Sequence, residues 1–173
     1  MGLFRRGLPP AARESLDLVG GERPIAWGAG PRLAGREEPP YVVATDRALH
    51  VGALWAPSRI PWDRISRATW QDPVLELTVQ LRPGGRPDTV RLELDDPGEV
   101  PVVVRERVQA SIVVSQHVPM EGEKGARIVA RRDSDTGELR WSVVFDTGLD
   151  PRDPDLRARA DEALADLRAS WGV

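Results

Sequence analysis

The sequence predicts an α+β fold, in which a series of short antiparallel strands is closed by one helix and then followed by a β-hairpin and an amphipathic helix. Three observations predict it. Residues 74–81 and 89–94 alternate apolar and polar with period two, which puts Leu75, Leu77, Val79 and Leu81, then Val90, Leu92 and Leu94, on one face, with Gly84-Gly85 in the connecting turn. Val100, Val104, Val108 and Ile112 recur at helical spacing after Asp95-Asp96-Pro97-Gly98-Glu99, a helix start with acidic residues ahead of a proline. Leu156, Ala160, Leu164, Leu167 and Trp171 form a second helical stripe, opposite Arg157, Asp161, Glu162, Asp166 and Arg168.

Taken in order, Pro9-Pro10 opens a short helix that Gly20-Gly21 ends, because proline is tolerated in a first helical turn. Residues 24–28 form the first strand, and the proline- and glycine-bearing residues 29–40 form a loop. The stretch 41–70 organises the rest. Its residues 41–44 and 48–51 make a hairpin around Thr45-Asp46-Arg47, where Thr and Asp favour the turn. Arg59-Ile60-Pro61-Trp62 follows, and Pro61, with φ fixed and no N–H, belongs at a strand end or on an edge. Ile60, Trp62, Ile65 and Trp70 are the expected core anchors, with Arg59, Asp63, Arg64 and Arg67 facing water between them. The middle helix is expected to reach residue 114. A turn at 122–125 leads into a hairpin that pairs 126–133 with 138–146 and turns Leu139, Trp141, Val143 and Phe145 inward. Asp150-Pro151 or Asp153-Pro154 starts the last helix, and Gly172 ends it.

Composition narrows the function classes. A chain of 173 residues can bury a core of its own and fits one domain with a small appendage. Its 24 basic residues against 27 acidic ones give a net charge of -3, so no global basic surface draws it to nucleic acid. The absence of cysteine excludes disulfides, zinc ribbons and thiol catalysis. No apolar signal region follows Met1, and Arg6 stands where N-myristoylation needs Ser or Thr. With no run of 18 apolar residues either, a cytoplasmic location is expected.

Gly21-Glu22 with Ile25, then Val43-Ala44-Thr45-Asp46-Arg47-Ala48-Leu49, then Ile60-Pro61-Trp62-Asp63-Arg64-Ile65, resembles the bacterial members of the pleckstrin-homology-like (PH-like) superfamily. In those proteins a "GE" start, a "T-x-R-A/R-L" hairpin and a "P-x-x-x-I" strand recur. The resemblance implies a curled antiparallel barrel of about seven strands capped by a helix, spanning residues 21–114. Residues 1–20 then form an N-terminal segment with a short helix, and residues 115–173 a hairpin-plus-helix extension packed on the barrel. The whole chain is also similar to a family of actinobacterial proteins. Eukaryotic relatives bind phosphoinositides through a basic loop after the first strand; here that loop offers Arg32 and Arg36 beside Glu37 and Glu38.

Chemistry-bearing residues are few. Asp133-Ser134-Asp135-Thr136-Gly137-Glu138 has the opening of a calcium loop but lacks the later ligand positions, so a polar hairpin turn is expected. Asp150, Asp153 and Asp155 read as helix-capping carboxylates. His50 and His117 are the two histidines, which rules out a three-histidine zinc site, and neither has a Ser/His/Asp context. Arg127, Arg131, Arg132 and Arg140 read as a solvated sheet face, since alternation turns Trp141 inward and away from them. No cofactor motif is present. The expected function is a non-enzymatic binding or scaffolding module that takes a protein or peptide through Leu54, Trp55 and Arg59. The alternative is a binder of anionic lipid head groups through Arg32, Arg36 and Arg59, with no metal or nucleic-acid role in either case.

Overall fold

The computed structural model describes residues 7–14, 16–52, 58–81 and 86–172. The chain divides into two units, Met1–Ser111 with Asp133–Gly137, and Ile112–Arg132 with Glu138–Val173. The fold is mixed α+β, with three antiparallel sheets.

The first unit opens with α1 (Pro10–Glu14) and continues through β1 (Pro24–Ala29), β2 (Tyr41–Thr45), β3 (Ala48–Val51) and β4 (Arg59–Pro61). A 3-10 turn at Trp62–Arg64 leads to β5 (Ile65–Gln71), β6 (Val74–Val79), β7 (Asp88–Glu93) and α2 (Val100–Ala110). The strands form two sheets of order β1-β2-β3-β4 and β5-β6-β7. No closed barrel forms among the described residues, which corrects the expectation of a curled barrel. The reason is local: the 3-10 turn separates β4 from β5, and the outer side of β1 meets the stretch after β7 only at a bridge, Ala29 with Asp96. There the Ala29 amide donates to Asp96 O at 2.8 Å. This approach needs glycine on both sides. A Cβ at Gly28 would lie 2.9 Å from the carbonyl oxygens of Asp96 and Pro97, and Gly98 sits at φ 50° with Trp27 O 2.5 Å from where its Cβ would be.

Alternation in β6 and β7 does what the sequence requires. Leu75, Leu77, Val79 and Leu92 are almost fully buried, and α2 lays Val100, Val103, Val104 and Val108 into the same core. Each such side chain contributes about 1.5–3 kcal/mol by leaving water. Leu81, expected inward, is 39% exposed because the ladder with β7 ends at the Val79–Asp88 pair. Ile60, Trp62 and Ile65 are buried, and Trp70 is half-buried against the core. Asp63, expected in water, is buried instead, because the 3-10 turn carries it inward beside the Trp62 ring, whose Nε1 donates to Thr45 O at 3.1 Å. Strands β2 and β3 are buried on both faces: Val42, Ala44 and Leu49 point to the core, while Val43, Thr45 and His50 lie on the opposite side. That opposite side is partly covered by the N-terminal segment, with Ala12 of α1 fully buried and α1 in contact with β2.

The second unit holds β8 (Ile112–Glu121), β9 (Lys124–Arg132), β10 (Leu139–Phe145) and α3 (Pro154–Ser170), with sheet order β10-β9-β8. The expected hairpin is therefore the second half of a three-stranded sheet, and the middle helix stops at Ala110 rather than 114. Ser111 ends it, its hydroxyl donating to Val108 O at 2.7 Å, and the β-branched Ile112-Val113-Val114 continues as strand. Irregular pairing between Ile112 and Val114 and between Pro119 and Glu121 lets this non-alternating, proline-bearing segment pair with β9. Ala126, Met120, Leu156 and Ala160 form a small core, with Val143 and Phe145 half-buried against it. Trp171, expected on the buried stripe, is 49% exposed at the end of α3. No helix among the described residues is long and apolar enough to cross a membrane.

Candidate functional site

The most concentrated polar chemistry is a carboxylate hub on the outer side of the first sheet. A turn at residues 19–22, with Gly21 at φ 81°, brings Glu22 back so that its Oε2 accepts from the Val19 amide at 3.1 Å while its own amide donates to Val19 O at 2.8 Å. The β2–β3 turn supplies Thr45, whose hydroxyl accepts from the Ala48 amide at 2.9 Å and the Arg47 amide at 3.2 Å. That hydroxyl has one hydrogen and two acceptors in reach, Glu22 Oε1 at 2.5 Å and Ala48 O at 2.9 Å. The shorter contact, to the charged group, takes it.

His50, on β3, places Nε2 at 2.9 Å from the same Oε1. An ionised carboxylate only accepts, so this nitrogen carries the proton. Arg59, paired with His50 across β3 and β4, reaches Glu22 Oε2 at 3.4 Å and forks onto both oxygens of Asp135 at 2.9 and 2.8 Å. The side chain of Glu22 has no exposed surface and that of His50 has 6%. Burial pushes the Glu22 carboxyl up, but the hydrogen bonds from Thr45, from His50 and from the Val19 amide together outweigh it and hold the group below its ordinary value. Burial likewise works against the Arg59 charge, and the bond to Asp135 with the Glu22 charge raises it above its usual value.

Chemically this arrangement locks rather than reacts. The carboxylate stands between hydroxyl and imidazole, so the histidine is not placed to take a proton from Thr45, and both groups are sealed from a substrate. Asp46 adds a clamp beside it, Oδ1 accepting from the Arg23 amide at 2.7 Å, so the first strand is fastened to the hairpin by backbone as well as side chain.

A smaller dyad lies in the second unit, where His117 Nε2 is 2.8 Å from Asp146 Oδ2 and that oxygen also accepts from the Gly125 amide at 2.8 Å. The His117 bond, then the Gly125 bond, hold the Asp146 carboxyl below its ordinary value. His117 lies in strand β8.

Of the residues singled out in the sequence, Leu54 and Trp55 lie outside the described residues. Arg59 is turned into the hub. Arg32 and Arg36 are exposed in the loop after β1, where Tyr41 donates to Glu38 at 2.6 Å. Asp133 serves its own turn, Oδ1 accepting from the amides of Asp135 and Thr136 at 2.8 and 3.1 Å, and Asp135 is engaged by Arg59. Asp153 caps α3, accepting from the amides of Asp155 and Leu156. No group of three metal-ligating residues converges among the described residues. Sequence reading set Glu22 and Thr45 down as motif letters and missed the hub. The available signal was that Thr45 and His50 share the non-core face of a hairpin whose other face is entirely apolar. Compared with known proteins, the chain is matched by no family model, no curated protein and no solved structure.

Proposed function

We propose that this chain is a cytoplasmic, non-enzymatic interaction module built on a PH-like domain, related to an actinobacterial family, and that it binds a protein or peptide. The observation that carries the reading is the element order of the first unit: four antiparallel strands, a turn, three antiparallel strands, then a helix in contact with β1, β2 and β5. That order matches the expected layout of such a domain even though the sheets stay separate. The hub supports it too, since the "GE" glutamate and the hairpin threonine of the motif act as a structural lock and leave no accessible catalytic group there.

The contact surface assigned to this module is the segment holding Leu54 and Trp55, between β3 and β4. Tryptophan is a large apolar side chain of the kind that anchors protein interfaces. Arg59, half-buried, is engaged by Glu22 and Asp135.

Affinity capture with tagged wild type, against Trp55→Ala and Leu54→Ala, tests the assignment. A specific partner retained by wild type and lost by Trp55→Ala, with unfolding stability unchanged, is the expected result. An unchanged captured set refutes the surface. Sedimentation with vesicles containing anionic lipid distinguishes the alternative: salt-sensitive binding abolished by Arg32→Ala with Arg36→Ala would replace the protein-binding reading.

A further inference from the structure

The two edges of the second unit's sheet differ in how they treat an incoming strand. Strand β8 carries deterrents to pairing, namely two register irregularities and Pro119. Strand β10 carries neither. Its seven residues pair with β9 in unbroken register, from Leu139–Arg132 to Phe145–Ala126, and Leu-Arg-Trp-Ser-Val-Val-Phe is rich in strand formers. Among the described residues β10 has β9 as its single strand neighbour. Its side chains are left incompletely buried, with Trp141, Val143 and Phe145 half-buried on the α3 side and Val144 56% exposed on the other.

We propose that β10 pairs antiparallel with β10 of a second copy of this chain, about a twofold axis through Val143. A twofold perpendicular to the sheet sets each residue opposite one of the same parity, so faces match and every contact occurs twice. With Val143 on the axis, Arg140 stands opposite Asp146 of the second copy, Trp141 opposite Phe145, and Ser142 opposite Val144. Opposite charges and aromatic pairs are the favourable cross-strand combinations. Shifting the axis to Ser142 brings Glu138 against Asp146 and leaves Arg140 facing Val144. Shifting it to Trp141 gives Arg140 a serine. The Val143 register alone among these supplies the ion pair. Asp146 follows β10 directly, and since the Gly125 amide and His117 hold its Oδ2 toward β9 and β8, Oδ1 is the oxygen that meets Arg140 of the second copy. The product is a continuous sheet, β8-β9-β10 followed by the second copy's β10-β9-β8, with both α3 helices on one face.

The full chain contains no cysteine, so Val143→Cys introduces a single thiol that meets its own counterpart on the axis, within disulfide reach. Under mild oxidation it is expected to form a disulfide-linked dimer, while Val144→Cys, opposite Ser142 of the second copy, cross-links far less. In sedimentation equilibrium, Arg140→Asp replaces two attractive pairs by two repulsive ones and weakens dimerisation by about tenfold or more, whereas Arg140→Lys retains it. A wild-type protein that stays monomeric across the concentration range overturns the proposal. Equal cross-linking of the two cysteine variants, or an unaltered dimer in Arg140→Asp, does the same.

Discussion

Replacing Glu22 by Gln keeps the shape of the hub and removes its charge, whereas Leu keeps only the volume. In the Gln variant one amide orientation serves Val19, Thr45, His50 and Arg59. The carbonyl oxygen takes the position of Oε2, facing the Val19 amide and Arg59, and the NH₂ takes that of Oε1. There Thr45 can swing its hydrogen to Ala48 O, 2.9 Å away, and accept in place of its longer bond from the Arg47 amide, while His50 adopts the tautomer with Nε2 unprotonated. The loss is then that of charge-assisted bonds becoming neutral ones. Two buried contacts falling from ~1.5–3 to ~0.5–1.5 kcal/mol each lose about 2–3 kcal/mol together. Glu22→Leu strands the His50 N–H and one side of Arg59, and costs about 3–5 kcal/mol. Urea unfolding at neutral pH measures both. The acid limb supplies a second readout with a definite sign. Because the folded-state pKa of Glu22 is depressed, its contribution is fully present above the ordinary carboxylate value of ~4.3 and is lost as pH falls through the folded value. The gap between wild type and Glu22→Gln is thus expected to be constant from neutral pH down to the ordinary carboxylate range and to shrink below it. Equal destabilisation by Gln and Leu, with a gap that does not change on acidification, would refute the claim that this carboxylate organises the first sheet.

Three further outcomes follow from the packing and turn chemistry. Leu77→Ala empties a fully buried position in β6 and lowers unfolding free energy by about 2–5 kcal/mol, read as a shifted urea midpoint with unchanged slope. Gly125→Ala would put a Cβ on Val118 O and within 2.8 Å of Pro119 Cα, so amide exchange should accelerate across β8 and β9 while β6 and β7 keep their protection. Asp153→Ala removes the acceptor for two α3 amides and costs about 1 kcal/mol, which Asp153→Ser substantially restores, as followed by thermal unfolding of the second unit.

Where the sequence was legible, the decisive signal was local, and where it failed, the decider was a partner distant in the chain. Strands β6 and β7 announce themselves because a two-residue period needs no knowledge of what lies across the sheet. Asp153 announces a helix start for the same reason. Strand β8 is the contrary case. Its Ile112 continues the helical row begun by Val100, and its proline argues against a ladder, but pairing with β9 outweighs both, and two irregular steps accommodate what the pattern could not predict. Glu22 and Thr45 are 23 residues apart, and Arg59 and Asp135 are 76 apart, so the hub is invisible until the chain is folded. An acidic residue after two glycines reads as a loop. Its burial follows only once the turn at residues 19–22 and the β2–β3 turn are both formed, each presenting a polar group that the other satisfies. Neither turn explains its own charged or hydroxyl residue; together they fasten the first strand to its hairpin.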